Sequence, residues 1–251
     1  MQFDLFDAKM RQHEMSFDQF IPTGMWPLIR LNVRATRQLQ RTMNFENTFD
    51  LILRDALLAT VETLMVGQFR GIYSYIEKDA VSILFAREDD SFQRKIRKWL
   101  TVLAAESSSR FTHILGVPAS FDARLIPACN TTTIIDYFRW RQEYFIRNSL
   151  DQHCCFILTK RQYNRKQAGK MLIGLSLEEK IFLLLQQGYN YTKDIPRWCR
   201  LGLASYWLYK EKIGKNPLTG KEVKARRRFL FHDPKLPTGR EYEALIKKSI
   251  N

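Results

Sequence analysis

Across residues 28–126 the hydrophobic periodicity changes in a fixed order, and that order constrains the fold more than any other feature of the chain. Residues 28–33 read as a short buried strand. Phe49, Leu53, Ala56, Leu57, Thr60, Val61 and Leu64 then recur at helical spacing. Asp50 lies in the first turn, where a carboxylate suits the positive end of the helix dipole. Residues 71–76 and 81–85 look like two strands around the polar turn Glu77-Lys78-Asp79-Ala80, which predicts a hairpin. Residues 91–110 return to helical spacing, with Phe92, Ile96, Trp99, Leu100 and Leu103 on one face, and 121–126 read as a fourth strand. The order β-α-β-β-α-β is the split unit of ferredoxin-like sheets, and the palms of many nucleic-acid polymerases are built on it. In such a sheet the end of the first strand and the β2–β3 turn are neighbours. Two carboxylates placed there can hold a pair of Mg²⁺ ions for phosphoryl transfer.

The second half predicts a long helix over 132–160 and another over 165–172. A third opens with the capping-box pattern Ser176-Leu177-Glu178-Glu179 and ends before Gly188. Residues 203–209 alternate as a strand, Asn216-Pro217-Leu218-Thr219-Gly220 supplies turn chemistry, and 223–232 return as a basic strand. A short helix is expected from Glu241. The expected fold class is α+β: a palm-like sheet over 28–130, preceded by an N-terminal extension over 1–27. A basic helical and β-hairpin region over 131–251 follows, and the two regions form one compact body.

Charge narrows the choice of partner. The net charge is +14, from 40 Lys and Arg against 26 Asp and Glu. Residues 1–125 carry 16 basic and 15 acidic side chains, whereas 126–251 carry 24 and 11. An excess confined to one half suits a polyanion, because each Lys or Arg set on a phosphate releases counterions. The basic residues lie among aromatic and strand-like segments and form no basic amphipathic helix, which favours nucleic acid over a membrane surface. On a strand Arg226, Arg227 and Arg228 alternate faces, so all three cannot be buried. With Lys221 and Lys224 they form a candidate phosphate-contacting strip.

No apolar run reaches the roughly 18 residues needed to cross a bilayer, and the first residues carry early acids and no secretory core. Four cysteines without CxxC spacing read as reduced thiols, and a cytoplasmic protein is expected. Trp140, Trp198 and Trp207 are read as core residues, with base stacking the alternative, and His153, Cys154 and Cys155 as interior residues of a helix.

Several segments, in order and at sensible spacing, carry a family likeness. They are Arg30-Leu31-Asn32-Val33-Arg34, Asn44-Phe45, Phe121-Asp122-Ala123-Arg124 and Asp136-Tyr137-Phe138-Arg139-Trp140-Arg141-Gln142. Arg147-Asn148, Gly188-Tyr189-Asn190-Tyr191, Pro196-Arg197-Trp198 with Gly202, and Gly214-Lys215-Asn216-Pro217-Leu218-Thr219-Gly220 continue it. The chain resembles the tRNA-His guanylyltransferase family, including its guanylyltransferase-like branch, from about residue 28 almost to the C-terminus. The segment over 136–142 is the most specific. The resemblance implies 3′-to-5′ addition of nucleotides to the 5′ end of tRNA, with Mg²⁺ and a nucleoside triphosphate (GTP or ATP). It also implies a homo-oligomer, a dimer or tetramer.

By resemblance Asp79 is the catalytic metal ligand, Arg94, Lys95 and Lys98 lie on a helix that approaches the triphosphate, and Asn148 contacts nucleotide or tRNA. The metal signature departs from the family. Asn32 and Val33 stand where the family has Asp and Gly, and Ala80 where it has Glu. Thr36-Arg37 replaces Phe-His, and of Lys-Pro-Asn-Asp only Asp50 is kept, after Asn47, Thr48 and Phe49. Asp79 is therefore a ligand or a hairpin-tip residue, and Asn32 a weakened ligand or the end of a strand. Two functions follow: a tRNA guanylyltransferase-like nucleotidyltransferase, or a catalytically silent relative that binds tRNA or another structured RNA.

Overall fold

The computed structural model describes residues 3–45, 49–161, 163–215 and 222–250. In chain order the elements are α1 (Phe3–Met15), β1 (Trp26–Val33), α2 (Thr36–Thr42), α3 (Leu51–Val66), β2 (Gly71–Glu77), β3 (Ala80–Phe85), α4 (Ile96–Leu115) and β4 (Phe121–Ala128). There follow α5 (Thr131–Lys160), α6 (Arg165–Leu172), α7 (Leu177–Gln186), α8 (Arg197–Leu201), β5 (Leu203–Lys215), β6 (Glu222–Asp233) and α9 (Gly239–Ile250).

The strands form one six-stranded sheet in the order β4-β1-β3-β2-β5-β6, antiparallel throughout. The first four have the arrangement of the split unit. The basic C-terminal region does not stand apart from it, because β5 joins the sheet edge at β2 through pairs running from Tyr73↔Tyr206 to Ile76↔Leu203. Beyond Tyr206 the β5–β6 pair continues to Lys215↔Glu222 without a third strand beside it, so it projects as a two-stranded ribbon.

The strand period of two sorts side chains to two faces. Ile29, Leu31, Val33, Ile76, Val81, Ile83 and Phe85 pack in one core with α3 and α4 residues such as Leu57, Val61, Trp99 and Leu103. Leu28, Tyr73, Tyr75 and Leu84 pack in a second core with Ile134 and Phe138 of α5 and Tyr242 and Ile246 of α9. Both faces are covered, which is why β2 and β3 read as nearly continuous apolar runs. A third core joins the second half of α5 to α6, α7 and α8.

Local chemistry places the helix starts. Asp50 is the N-cap of α3 rather than a first-turn residue, and its carboxylate accepts from the Ile52 amide at 2.7 Å. The capping box expected at Ser176 is formed. The Glu179 carboxylate accepts from the Ser176 amide at 2.6 Å, and the Ser176 hydroxyl accepts from the Glu179 amide at 3.2 Å.

Two expectations are corrected. The helix predicted over 91–110 starts only at Ile96, after a 3-10 turn in which Phe92, Gln93 and Arg94 have φ of 51°, 55° and 60°. Apolar period alone does not register a reversal of φ. Helices α1, α2 and α8 were also unforeseen, since α1 has no buried residue and the other two are short. The turn expected at Asn216-Pro217-Leu218-Thr219-Gly220, and Lys221 of the basic strip, lie outside the described residues.

Candidate functional site

The end of β1 and the β2–β3 turn meet, as the topology requires. The Val33 amide donates to the Asp79 carbonyl at 2.9 Å, and Asn32 lies opposite Ala80 on one side and Asp122 of β4 on the other. Asp79 is partly exposed in the two-residue turn, with the Lys78 ammonium 4.0 Å from its carboxylate. The Asn32 amide Nδ2 donates to Asp122 Oδ1 at 2.8 Å. A carboxylate can only accept, so this bond engages the amide nitrogen of Asn32 and not its side-chain carbonyl oxygen.

The neighbouring donors are engaged. The Val33 carbonyl, at the position where the family has Gly, accepts from the Thr36 hydroxyl at 3.0 Å. By sequence position Glu77 is a second carboxylate at this turn, but it is buried at 4% exposure and ion-paired to both Arg30 and Arg141. Among the described residues no group of three or more His, Cys, Asp or Glu is placed to hold a metal ion. Mg²⁺ prefers hard anionic oxygens in octahedral geometry and is commonly held by one or two carboxylates plus substrate phosphates. Asp79 and the Asn32 side-chain oxygen are hard oxygen donors, and the register brings Asn32 and the turn that carries Asp79 to the same end of the sheet. The set does not fit the pair of ions for which a two-carboxylate signature is suited.

The Arg30–Glu77–Arg141 cluster brings two of the motif segments together. Arg30 also donates to Ser82 Oγ at 3.3 Å, and Ser82 is hydrogen-bonded to the Tyr137 hydroxyl at 3.0 Å. The guanidinium of Arg141 lies 4.8 Å from the ring centres of both Trp140 and Tyr144. Gln142 donates to the Pro237 carbonyl at 3.0 Å. The specific segment over 136–142 thus clamps α5 to the polar end of the sheet and to the chain leading into α9.

The three basic residues expected to face triphosphate do not share a helix face. Arg94 lies in the 3-10 turn, and its guanidinium donates to the carbonyls of Ile21, Pro22, Met25, Arg87 and Asp89 at 2.7–3.1 Å. It braces that turn against the segment before β1 and has no donor to spare for phosphate. Lys95 pairs with Asp18 at 3.0 Å, and Arg97 and Lys95 together hold the Asp18 carboxyl below its usual range. Lys98 is exposed on α4, and Asn148 is half-buried on α5.

Two concave sites open nearby that the sequence did not single out. A cavity of about 410 Å³ lies beside the strand end, lined among others by Arg34, Gln38, Thr112 and Ser120. Another of about 580 Å³ is lined by Arg37, Gln40, Arg41, Asn44, Phe45 and Arg165.

On the ribbon, Lys224, Arg226, Arg227 and Arg228 are all exposed. The register puts Arg226 and Arg228 on the face of Trp207 and Tyr209, and Arg227 on the other with Lys210. Trp140 is not the core residue expected: it is 56% exposed on α5. Trp198 and Trp207 are partly buried against the main core.

Cys154 and Cys199 are buried, and burial pushes both thiols up to about 12. His153 stacks on Phe49 with ring centres 4.7 Å apart, and its Nδ1 lies 2.7 Å from the Ser149 carbonyl. Burial lowers its pKa. His232 meets Ser205 Oγ at 2.8 Å through its Nδ1.

Comparison with known proteins places this architecture. Residues 7–129 match the family model for tRNAHis guanylyltransferase. The Mus musculus protein named "Probable tRNA(His) guanylyltransferase" is 23% identical over 199 residues, which cover 75% of this chain and 66% of that protein. The Drosophila melanogaster protein of the same name is 26% identical over 196 residues, covering 74% and 68%. The chain thus spans about two thirds of the length of these relatives.

Among solved structures, a bacterial tRNA(His) guanylyltransferase-like protein in complex with ATP superposes with a TM-score of 0.76 at 18% identity, covering 98% of this chain and 99% of that one. The Saccharomyces cerevisiae tRNA(His) guanylyltransferase superposes at 0.71 and 19% identity, covering 76% and 90%. At these identities the likeness is one of fold. Over residues 7–129 the chain matches the tRNAHis guanylyltransferase family, and its fold agrees with that of the solved guanylyltransferase structures.

Proposed function

We propose that this chain adds nucleotides to the 5′ end of tRNA in the 3′-to-5′ direction, using its sheet as a polymerase-type palm. The observation that carries the reading is the meeting of the β1 end with the β2–β3 turn, which brings the segments of Asn32 and Asp79 together within the stretch that matches the family model. A nucleoside triphosphate, GTP or ATP, is the second substrate. Support comes from bacterial relatives of the same fold, described in complex with ATP and with GTP.

In this reading Asp79 and Asn32 hold one Mg²⁺, which when bound offsets the negative charge of the triphosphate. Asp122 is a positioning residue that holds the amide nitrogen of Asn32. Lys98 and Asn148 remain available to the nucleotide, whereas Arg94 holds the chain before α4. Arg226, Arg227 and Arg228, with Lys224, contact the RNA backbone. The chain works as a homo-oligomer, and the exposure of Phe3, Leu5, Phe6 and Met15 on α1 supports an assembly surface there.

A 5′-end extension assay with Mg²⁺, labelled nucleoside triphosphates and 5′-phosphorylated, triphosphorylated and truncated tRNAs tests this reading. RNA retention is read in the same tubes. Label is expected to enter RNA, and Asp79→Ala is expected to abolish that transfer while leaving retention intact. Full transfer in Asp79→Ala would move the active site elsewhere.

The engaged donors at the strand end favour one second reading, a catalytically silent tRNA-binding relative. Tight retention without transfer in the unaltered protein would establish it. Under either reading, replacing Arg226, Arg227 and Arg228 together by Ala is expected to weaken tRNA binding and flatten its salt dependence by up to about three phosphate contacts' worth of slope. An unchanged slope would remove the strip from the interface.

A further inference from the structure

We infer that one face of the projecting β5–β6 ribbon is a stacking ladder for unpaired RNA bases, distinct from the phosphate-contacting role of the strip as a whole. This rests on the proposed action on RNA and assigns a part of the ribbon to the single-stranded portion of that RNA.

The register places Trp207, Tyr209, Glu211 and Ile213 of β5 on the same face as Leu230, Arg228, Arg226 and Lys224 of β6, with Glu211 directly opposite Arg226. Within that face the planar groups interleave along the diagonals. The Arg228 guanidinium lies 4.2 Å from the ring centre of Trp207, and that of Arg226 lies 4.2 Å from the ring centre of Tyr209. Arg228 sits directly opposite Tyr209, so the order along the ribbon is indole, guanidinium, phenol, guanidinium.

The ladder has a fixed root and an open end. Trp207 donates its indole N–H to the Gly71 carbonyl at 2.7 Å and packs on the main core, so the first plane is pinned to the sheet. Tyr209 is 57% exposed, and both arginines are exposed.

A ribbon that needed only solubility would not hold two guanidinium planes over two aromatic rings. A guanidinium paired with a ring keeps its outer face free, and both groups are surfaces on which nucleobases stack. The charge suits the same occupant. Across 207–215 and 222–230 the ribbon has seven Lys and Arg against two Glu, a net positive charge that suits the phosphates of a nucleic-acid strand. Base stacking needs unstacked bases, which double-helical RNA does not offer. The partner is therefore a single-stranded segment, such as an end or a loop.

The test uses the full chain with two RNA probes of equal length, an unstructured oligonucleotide and a blunt duplex, titrated over a range of salt. Tyr209→Leu keeps apolar bulk and strand propensity but removes the ring. Arg226→Lys with Arg228→Lys keeps the charge but removes the planes. Each is expected to weaken single-strand binding on the order of 5- to 100-fold with the salt slope unchanged, and to leave duplex binding within about twofold. Tyr209→Phe is expected to bind as the unaltered protein does.

Should Tyr209→Leu lose its fold by circular dichroism, Tyr209→Trp supplies the reading: the fluorescence it adds is expected to be quenched by the single strand and not by the duplex. Equal losses for both probes, unchanged single-strand affinity, or no selective quenching would each overturn the ladder. Nucleotide transfer is followed on the same preparations. Transfer that persists beside any of those results leaves the proposed function standing without the ladder. Absence of all RNA binding in the unaltered protein would remove both.

Discussion

Arg141→Ala is expected to lower the stability of the protein by about 3 kcal/mol, read as a shift of the urea midpoint at constant slope. The side chains of Arg141 and Glu77 are 7% and 5% exposed, so truncating the arginine leaves a buried carboxylate with one cation instead of two. The remaining partner, Arg30, sets the effect at the low end of the range for breaking a buried pair. Truncation also removes the stack on Trp140 and Tyr144.

Adding Glu77→Gln to Arg141→Ala separates charge from packing. The double variant is expected to lose less than the sum of the two single changes, with a coupling of about 1–3 kcal/mol. A loss below about 1 kcal/mol in Arg141→Ala would mean that water reaches the cluster and screens it. The result bears on function through position, since Glu77 closes β2 and Asp79 follows two residues later. Whatever loosens the Arg30–Glu77–Arg141 clamp loosens the turn that presents Asp79. The segment over 136–142 locks α5 to the sheet through Arg141 and to the chain leading into α9 through Gln142.

Gly202→Ala is expected to destabilise the protein by about 3 kcal/mol or more, seen as a fall in Tm and in the urea midpoint. Gly202 has φ 80° and ψ −173°, a region open in practice only to glycine. Space is lacking as well. An added Cβ would lie 2.7 Å from both Cε2 and the hydroxyl of Tyr75, and 2.8 Å from the Ile76 carbonyl oxygen. Tyr75 is fully buried and donates its hydroxyl to the Leu201 carbonyl at 2.9 Å, so it cannot swing away without losing that bond.

Gly174→Ala is the internal control. Its φ is 82°, yet nothing lies within 4 Å of the added Cβ, so only the backbone term of about 1 kcal/mol is expected. Equal effects at the two glycines would mean that the contact with Tyr75 and Ile76 relaxes freely. Because Gly202 immediately precedes β5, its substitution is also expected to disturb the root of the basic ribbon.

The sequence by itself determined the elements that bury a regular face. The short apolar runs of β1 to β3 and the period of 3.6 in α3, α4 and α5 are imposed by contact with a core, so these segments were legible with the correct order. So was the meeting of Asn32 with the β2–β3 turn, which follows from that order. The capping box at Ser176 was legible because its hydrogen bonds close within four residues. The family likeness likewise rests on side chains that can be read one by one.

Tertiary structure decided everything that depends on which remote group a side chain meets. Arg94 looked like a phosphate ligand because charge alone does not say that five backbone carbonyls surround it. Glu77 looked like a spare carboxylate because its two arginines come from positions 30 and 141. Trp140 looked like a core residue because a helix's apolar face cannot be told from a face that stacks on its own arginine. The joining of β5 to β2 required pairing between strands more than 125 residues apart. Periodicity fixes which face of an element is buried. Only the packed chain fixes what that face is buried against.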